Sequence, residues 1–256
     1  MISEQERERF LHCTVSQMTS MHLRDSIGKL SEKTVHAVLK DYFACNKDCQ
    51  EVKLGRYVAD IFDDGHVTEI QTANLGLLRP KLSAFLQDYP VTVVLPVPHD
   101  KWIVWIDPET GEVIKKNKSP IKGSVYEAFK ELYRIKPFIV STLNDETTVH
   151  PLTIRIMLID MEEYRLLDGW SHDKKRGSHR YDRNPVGLYD EILLSTRDDY
   201  SALIPESFPE PFTVKELADK LHVRKSKMGI CVNVLASLGI IQRVENIGRS
   251  YAYIRV

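Results

Sequence analysis

The dipeptide Asp64-Gly65, which has apolar and β-branched residues on both sides, constrains the fold of this chain more than any other feature. Asp-Gly is among the strongest signals for a two-residue β-hairpin turn. Counting outward from that turn places Asp60 directly opposite Glu69, with Gln71 two residues further along on the same face. Opposite residues have Cβ atoms roughly 4.5–5.5 Å apart, and like charges there destabilise the pair. The sequence therefore predicts two carboxylates held close together.

A divalent cation between these carboxylates would relieve their repulsion. Mg²⁺ is bound in proteins through one or two carboxylates together with waters and substrate phosphates. Asp60 and Glu69 therefore predict a site for Mg²⁺ or Mn²⁺. The residues alone leave two alternatives open, which are a one-residue error in the register and a pair of solvated acids in an exposed hairpin.

A helix is predicted before the hairpin, with Ser31 as its N-cap. Its apolar residues have the spacing of one buried stripe, and they are Val35, Val38, Leu39, Tyr42 and Phe43. Glu32 lies in the first turn on the side of this stripe, where a lone glutamate ordinarily complements the helix dipole. After the hairpin, the pattern predicts a helical segment around residues 77–86 and a buried strand over residues 91–97.

This order of elements and acids resembles the PD-(D/E)XK nuclease superfamily over roughly residues 29–106. The resemblance implies an α/β, restriction-endonuclease-like core with a mixed central sheet flanked by helices, and a metal-dependent deoxyribonuclease activity. Such nucleases carry a metal-binding Asp on the second core strand and a (D/E)-x-K motif on the third, often with a Glu from the first helix. Asp60, Glu69 and Glu32 match these positions. The backbone carbonyl of Ile70 would be a further metal ligand.

Two residues depart from the pattern of the superfamily. Gln71 takes the place of the motif's Lys, as in a minority with (D/E)-x-Q, and Ala59 stands where the family name has Pro. A neutral amide is neither a general base nor a cation that stabilises developing negative charge. Gln71 is therefore expected to orient the attacking water while the metal acidifies it. Lys81 on the following helix is an alternative source of the missing charge, or else a plain surface or phosphate-contacting lysine.

The C-terminal residues 209–256 resemble a winged helix-turn-helix. Thr213 can cap a first helix over residues 214–221, and a second helix from about residue 225 to 238 ends at Gly239. Two strands joined by a turn follow the second helix.

In a winged helix the second helix enters the DNA major groove by its N-terminal end. Residues 212–256 contain eight Lys and Arg against three Asp and Glu, a net charge of +5, whereas the whole chain carries −1. Basic charge is thus concentrated where phosphates would be contacted. DNA contacts are predicted at Arg224, Lys225, Ser226, Lys227 and Arg249. Docking or dimerisation of the winged helix is the alternative.

Residues 168–183 interleave basic and aromatic side chains, a pattern that suits phosphate contact and base stacking. Further nucleic-acid contacts are predicted at Lys174, Lys175, Arg176, Arg180 and Arg183, and at Lys81. A mobile loop is the alternative for this segment. The predicted domains are a helical lead-in (1–28), a nuclease core (29–140), an extension with a strand, a basic loop and a Pro-rich linker (141–208), and the winged helix (209–256).

Composition limits the remaining choices. The four cysteines lack the paired spacing of a zinc site, and no apolar run approaches about 18 residues. A cytoplasmic protein with reduced thiols and no membrane partner is expected, and a homodimer is left open. The favoured function is a DNA-binding, Mg²⁺-dependent endonuclease. The alternatives are a non-catalytic DNA-binding transcriptional regulator on a nuclease-like scaffold, and a winged-helix protein-interaction module.

Overall fold

The structure is a computed structural model that describes residues 2–22, 33–144, 150–166 and 179–256. The described α-helices are α1 (Glu4–His22), α2 (Lys33–Phe43), α3 (Arg79–Asp88), α4 (Phe129–Asn144), α5 (Arg197–Ser201), α6 (Val214–Lys220) and α7 (Lys225–Ser237). The described strands are β1 (Gln50–Leu54), β2 (Tyr57–Asp63), β3 (His66–Ile70), β4 (Val91–Ile106), β5 (Val113–Lys118), β6 (Leu152–Leu166), β7 (His179–Leu194), β8 (Phe212–Thr213), β9 (Ile241–Ile247) and β10 (Ser250–Arg255). Short 3₁₀ helices lie at Lys47–Cys49, Leu75–Leu78 and Val125–Ala128. No described helix is both long and apolar enough to cross a membrane.

Strands β1 to β7 form a mixed sheet with the order β1-β2-β3-β4-β6-β7, in which β5 also pairs with β4. Strands β2 and β3 are antiparallel, whereas β3 and β4 are parallel. Parallel neighbours need a crossover connection, and α3 supplies it between β3 and β4. The predicted α/β class, with a mixed central sheet and flanking helices, is confirmed.

The chain divides into two compact units. The first consists of Met1–Val52, Pro96–Ser124 and Met157–Glu191, and the second of Lys53–Leu95, Val125–Ile156 and Ile192–Val256. The hairpin that carries the predicted carboxylates and the C-terminal helices therefore belong to the same unit.

In the first unit, α1 packs against α2. The ring of Phe10 meets the ring of Tyr42 edge to face, with centroids 5.6 Å apart. The predicted apolar stripe of α2 is buried at Val35, Val38, Leu39 and Tyr42. Burial of this stripe is the main source of stability for a helix of this length, because an isolated helix of 11 residues is marginal in water.

In the second unit, α3 and α4 each bury an apolar stripe. Helix α3 buries Leu82, Phe85 and Leu86, and the Phe85 ring contacts the Tyr57 ring of β2 at 6.0 Å between centroids. The helical segment predicted around residues 77–86 is a 3₁₀ turn followed directly by α3. Helix α4 buries Phe129, Leu132, Ile135 and Ile139.

The C-terminal segment has the predicted order of helix, turn, helix and two-stranded ribbon. Strand β10 pairs with β8 and β9, which gives a three-stranded sheet beside α6 and α7. Thr213 caps α6 in a capping box with Glu216, as its position predicts. Gly239 follows α7 with a φ of +69°, the left-handed conformation of a helix stop.

The segment predicted as a Pro-rich linker is packed within the second unit. Ile204 and Phe208 are buried. The hydroxyl of Tyr126 donates a hydrogen bond to the Leu203 carbonyl at 2.7 Å. These contacts fix the segment because apolar side chains lie between its prolines and leave the solvent on folding.

Candidate metal centre on the β2–β3 hairpin

The turn between β2 and β3 sets the register of the site. Asp64 and Gly65 have φ angles of +46° and +73°, so both central residues are left-handed, as a two-residue hairpin turn requires. Asp63 pairs with His66, and the pairing continues outward in the same register to Ile61 and Thr68. Asp60 and Glu69 are the next residues outward on the two strands, at the positions that the sequence predicts.

At this pair, carboxylates bind backbone groups of the opposite strand. The Asp60 N–H donates to Glu69 Oε1 at 3.3 Å, and the Ile70 N–H donates to Asp60 Oδ2 at 2.8 Å. Backbone donors thus hold both side chains between the two strands. Hydrogen bonds from backbone N–H groups favour the ionised form of a carboxylate. The hairpin therefore fixes two acidic groups next to each other.

Helix α3 adds a cation to this pair. The Lys81 Nζ lies 2.9 Å from Glu69 Oε2 and 3.1 Å from Glu69 Oε1. The Glu69 side chain is fully buried, whereas the Lys81 side chain retains 27% of its exposure. Lys81 therefore contacts Glu69, and its supply of the missing positive charge stays a prediction.

The surroundings of Glu69 make its ionised form costly. Burial, followed by the neighbouring Asp60 carboxylate, raises the pKa of Glu69 to about 7, although the Lys81 ammonium opposes this rise. Burial raises a carboxyl pKa because the charged form loses its hydration. A second cation near Asp60 and Glu69 would remove that cost, so the electrostatics of the pair favour binding of a positive ion.

The donor atoms fit a hard divalent cation. Carboxylate and carbonyl oxygens are the ligands that Mg²⁺ uses, and the ion ordinarily keeps several waters and binds substrate phosphates. Asp60 and Glu69 supply two carboxylates, and the predicted third ligand, the Ile70 carbonyl, is on the adjoining residue of β3. Within the described ranges, no other acidic, cysteine or histidine side chain joins these two in a cluster of three.

Of the two other predicted site residues, Gln71 lies beside the pair of acids and Glu32 is not described by the structure. The Gln71 N–H donates to the Val94 carbonyl at 2.9 Å, which continues the parallel pairing of β3 with β4. This contact anchors the backbone of Gln71 beside the pair of acids. Glu32 lies outside the described residues.

The predicted DNA contacts in the C-terminal segment differ in their surroundings. Arg224, Lys225 and Ser226 are exposed at the start of α7, and Arg249 is exposed in the turn between β9 and β10. The Lys227 Nζ instead binds the Glu127 carboxylate. Lys227 is therefore already paired, a contact that the sequence pattern of the helix gives no means of predicting.

The predicted contacts of the basic segment are only partly described. Lys174, Lys175, Arg176 and the side chain of Arg180 lie outside the described residues. The Arg183 Nε lies 3.4 Å from Glu163 Oε2, in the first unit. Glu163 is nearly fully buried and also contacts Lys101 and Arg165. Arg183 thus belongs to a group of three cations around the Glu163 carboxylate. The sequence did not predict this group because its three cations come from separate strands.

Comparison with known proteins places the hairpin inside a protein family. The profile of the family described as "Domain of unknown function (DUF8091)" matches residues 33–195. The chain belongs to the DUF8091 family. The DUF8091 region contains β2, β3 and α3 and ends before α6, so it includes the acids and Lys81 and excludes the C-terminal helix pair.

One relative and the solved structures complete the comparison. An "Uncharacterized protein" of Treponema pallidum (strain Nichols) is 27% identical over 194 residues, which cover 75% of this chain and 74% of the relative. No solved structure matches the chain. The DUF8091 member is thus similar to a protein of comparable extent.

Proposed function

We propose that this DUF8091 protein is a metal-dependent deoxyribonuclease whose active site is formed by the β2–β3 hairpin and α3. The observation that carries the proposal is the convergence of Asp60, Glu69 and Lys81. Each acid accepts a hydrogen bond from a backbone N–H of the opposite strand, and the lysine contacts both oxygens of Glu69. Two carboxylates and a cation in this order along the chain support the likeness to PD-(D/E)XK nucleases.

Each residue of the site has a distinct proposed role. Asp60, Glu69 and the Ile70 carbonyl would hold Mg²⁺ or Mn²⁺. When bound, such an ion polarises the phosphoryl oxygen and lowers the pKa of its bound water. Gln71 would orient the attacking water through its amide.

Lys81 would take the place of the lysine that the (D/E)-x-Q motif lacks. A preorganised cation stabilises negative charge that develops in a transition state, and it acts more strongly in a site that excludes water. Lys81 meets the positional requirement because its ammonium is held at the Glu69 carboxylate. Its partial exposure leaves a path from the solvent to the ammonium for a phosphate.

The C-terminal helix pair and ribbon would supply DNA affinity. Arg224, Lys225 and Arg249 are exposed, and the segment carries the +5 charge noted above. Phosphate contacts by exposed cations provide affinity that is independent of sequence and weakens as salt rises. A winged-helix domain is the proposed identity of this segment.

A non-catalytic DNA-binding regulator is a second candidate, and the Lys81–Glu69 contact also favours it. The ammonium binds both oxygens of Glu69, so it satisfies the buried carboxylate without any metal. In a regulator, the ion pair would serve only to stabilise the fold. The two candidates differ in whether the protein cleaves DNA: a nuclease would do so through the two acids, whereas a regulator would bind DNA without cleaving it.

Cleavage of DNA tests the proposal. Purified wild-type protein is incubated with supercoiled, linear and single-stranded DNA in Mg²⁺, in Mn²⁺ and in EDTA, beside Asp60→Asn and Lys81→Met. Asp88→Asn is the matched control, because Asp88 is an exposed acid of α3. Metal-dependent cleavage that is lost in Asp60→Asn and retained in Asp88→Asn supports the nuclease. DNA binding without cleavage under every condition would leave the regulator.

A further inference from the structure

A basic cleft lies in the second unit, between the start of α3, helix α4 and helix α7. Its volume is about 660 Å³. Four of the side chains that line it are cationic, and no acidic residue is among its described lining residues. The cations are Arg79, Lys130, Arg134 and Lys136.

Contacts with neighbouring groups hold two of these cations in place. The Lys136 Nζ donates to Asn233 Oδ1 of α7 at 3.0 Å and lies 4.9 Å from the centre of the Tyr133 ring. The Arg134 Nε lies 3.3 Å from Glu131 Oε2. Glu131 also accepts a hydrogen bond from the Leu75 N–H, so this acid is shared with the backbone. The described lining therefore carries an excess of positive charge, because its four cations are accompanied by no acid and Glu131 is paired with only one of them.

Helix α7 is packed along α4 and forms one wall of the cleft. Ile230 of α7 lines the cleft, and Asn233 reaches across to Lys136. The predicted role of α7, insertion into a major groove, needs a free helix face, since the groove is only about 12 Å wide. The face of α7 that carries Ile230 and Asn233 lines the cleft, whereas Arg224 and Lys225 at the start of the helix are exposed outside it.

The size of the cleft suits a single strand. Pockets of about 300–1,000 Å³ hold small ligands, so a cleft of about 660 Å³ has room for one or two nucleotides. Tyr133 is 49% exposed and offers a ring on which a base can stack. Cations that track a backbone together with an aromatic ring for the bases are the usual features of proteins that bind single-stranded nucleic acid.

We propose that this cleft binds single-stranded nucleic acid, with the four cations on the phosphates and Tyr133 against a base. The proposal rests on the proposed function only in taking nucleic acid as the ligand. It does not require the hairpin acids to be catalytic. The cleft is close in sequence to the hairpin acids, because the 3₁₀ turn that contains its lining residue Gly76 connects β3 with α3.

Fluorescence anisotropy tests the proposal in EDTA, where no cleavage can occur. A labelled twelve-residue oligo-dT and a duplex of the same length are titrated with full-length protein at several salt concentrations. Each phosphate contact on a single strand contributes about −0.7 to the slope of log K against log salt. Lys130→Ala combined with Arg134→Ala is expected to reduce that slope by about 1.4. Tyr133→Ala is expected to weaken binding by about ten-fold with little change of slope.

A control pair and two contrary results complete the test. Lys47→Ala combined with Lys53→Ala removes two exposed lysines outside the cleft and is expected to leave affinity unchanged. An equal loss of duplex and single-strand binding in the cleft variants, or a poly-glutamate peptide bound as tightly as the oligonucleotide, would overturn the proposal. Unchanged binding in both cleft variants would do the same. Because EDTA prevents cleavage, these results stand whether or not the hairpin site is a nuclease.

Discussion

Replacing Glu69 with glutamine is expected to change how the stability of this protein depends on pH. Burial and the Asp60 carboxylate raise the pKa of Glu69 from 4.5 to about 7. The unfolded chain therefore ionises this group at lower pH than the folded protein does. The contribution of protonated Glu69 to the free energy of unfolding is fully present below the unfolded pKa of 4.5. It is lost progressively as the pH rises towards 7.

The size of this effect follows from the two pKa values. Each pKa unit corresponds to about 1.4 kcal/mol of differential interaction between the two protonation states. The difference between 4.5 and about 7 thus amounts to about 3 kcal/mol, nearly all of which is lost between pH 4.5 and pH 8. Glutamine carries no charge at any pH, so the free energy of unfolding of the variant does not decrease in this way as the pH rises.

Urea unfolding at pH 4.5 and pH 8 in EDTA measures the difference. The wild type is expected to lose about 3 kcal/mol more of its unfolding free energy than Glu69→Gln over this interval. Titrating groups that do not contact Glu69 are common to both proteins and cancel in the comparison. Asp88→Asn, which removes an exposed acid, is expected to behave like the wild type. The same pH dependence in wild type and Glu69→Gln would refute the reasoning.

Three further substitutions test separate parts of the molecule. Lys81→Met is expected to lower the rate of plasmid cleavage by about 10²-fold or more, as loss of one transition-state contact does. Lys53→Met is its exposed control, and equal rates for the two variants would remove Lys81 from the mechanism. Arg249→Ala is expected to weaken DNA binding and to lower the magnitude of the salt slope by about 1. An unchanged slope would show that the ribbon turn does not contact DNA. Thr213→Ala removes the capping box of α6 and is expected to cost about 1 kcal/mol in thermal or urea unfolding. An unchanged unfolding free energy would mean that the cap adds nothing to stability.

The register of the hairpin could be predicted because it depends on local chemistry. A two-residue turn with both residues left-handed fixes every pair that follows it, so Asp64 and Gly65 determine that Asp60 faces Glu69. The same holds for Thr213 and Gly239, whose capping roles depend on residues within a few positions along the chain. Local signals of this kind require no knowledge of how the elements pack.

The contact of Lys81 with Glu69 could not be derived from sequence spacing. It depends on how α3 lies beside β3, and that is decided by the burial of apolar residues such as Phe85 and Leu82. The pairing of Lys227 with Glu127 joins residues 100 positions apart and depends on the packing of α7. Long-range packing, which periodicity does not encode, therefore determines which lysine reaches which acid.

The basic cleft left a signal in the sequence that could have been used. Lys130, Tyr133, Arg134 and Pro137 follow the spacing i, i+3, i+4 and i+7, which places them on one face of α4. Such a stripe shows that a helix presents basic and aromatic groups together. The sequence does not show that α7 closes the other side of the cleft, because that contact is again one of long-range packing.

The central claim is that Asp60 and Glu69 hold a divalent cation. The most direct measurement is titration of Mn²⁺ into the protein at pH 8, with free Mn²⁺ quantified by its electron paramagnetic resonance signal. We expect the wild type and Asp88→Asn to bind at least one ion and Asp60→Asn and Glu69→Gln to lose it. No uptake by the wild type, or the same uptake by all four proteins, would contradict the claim.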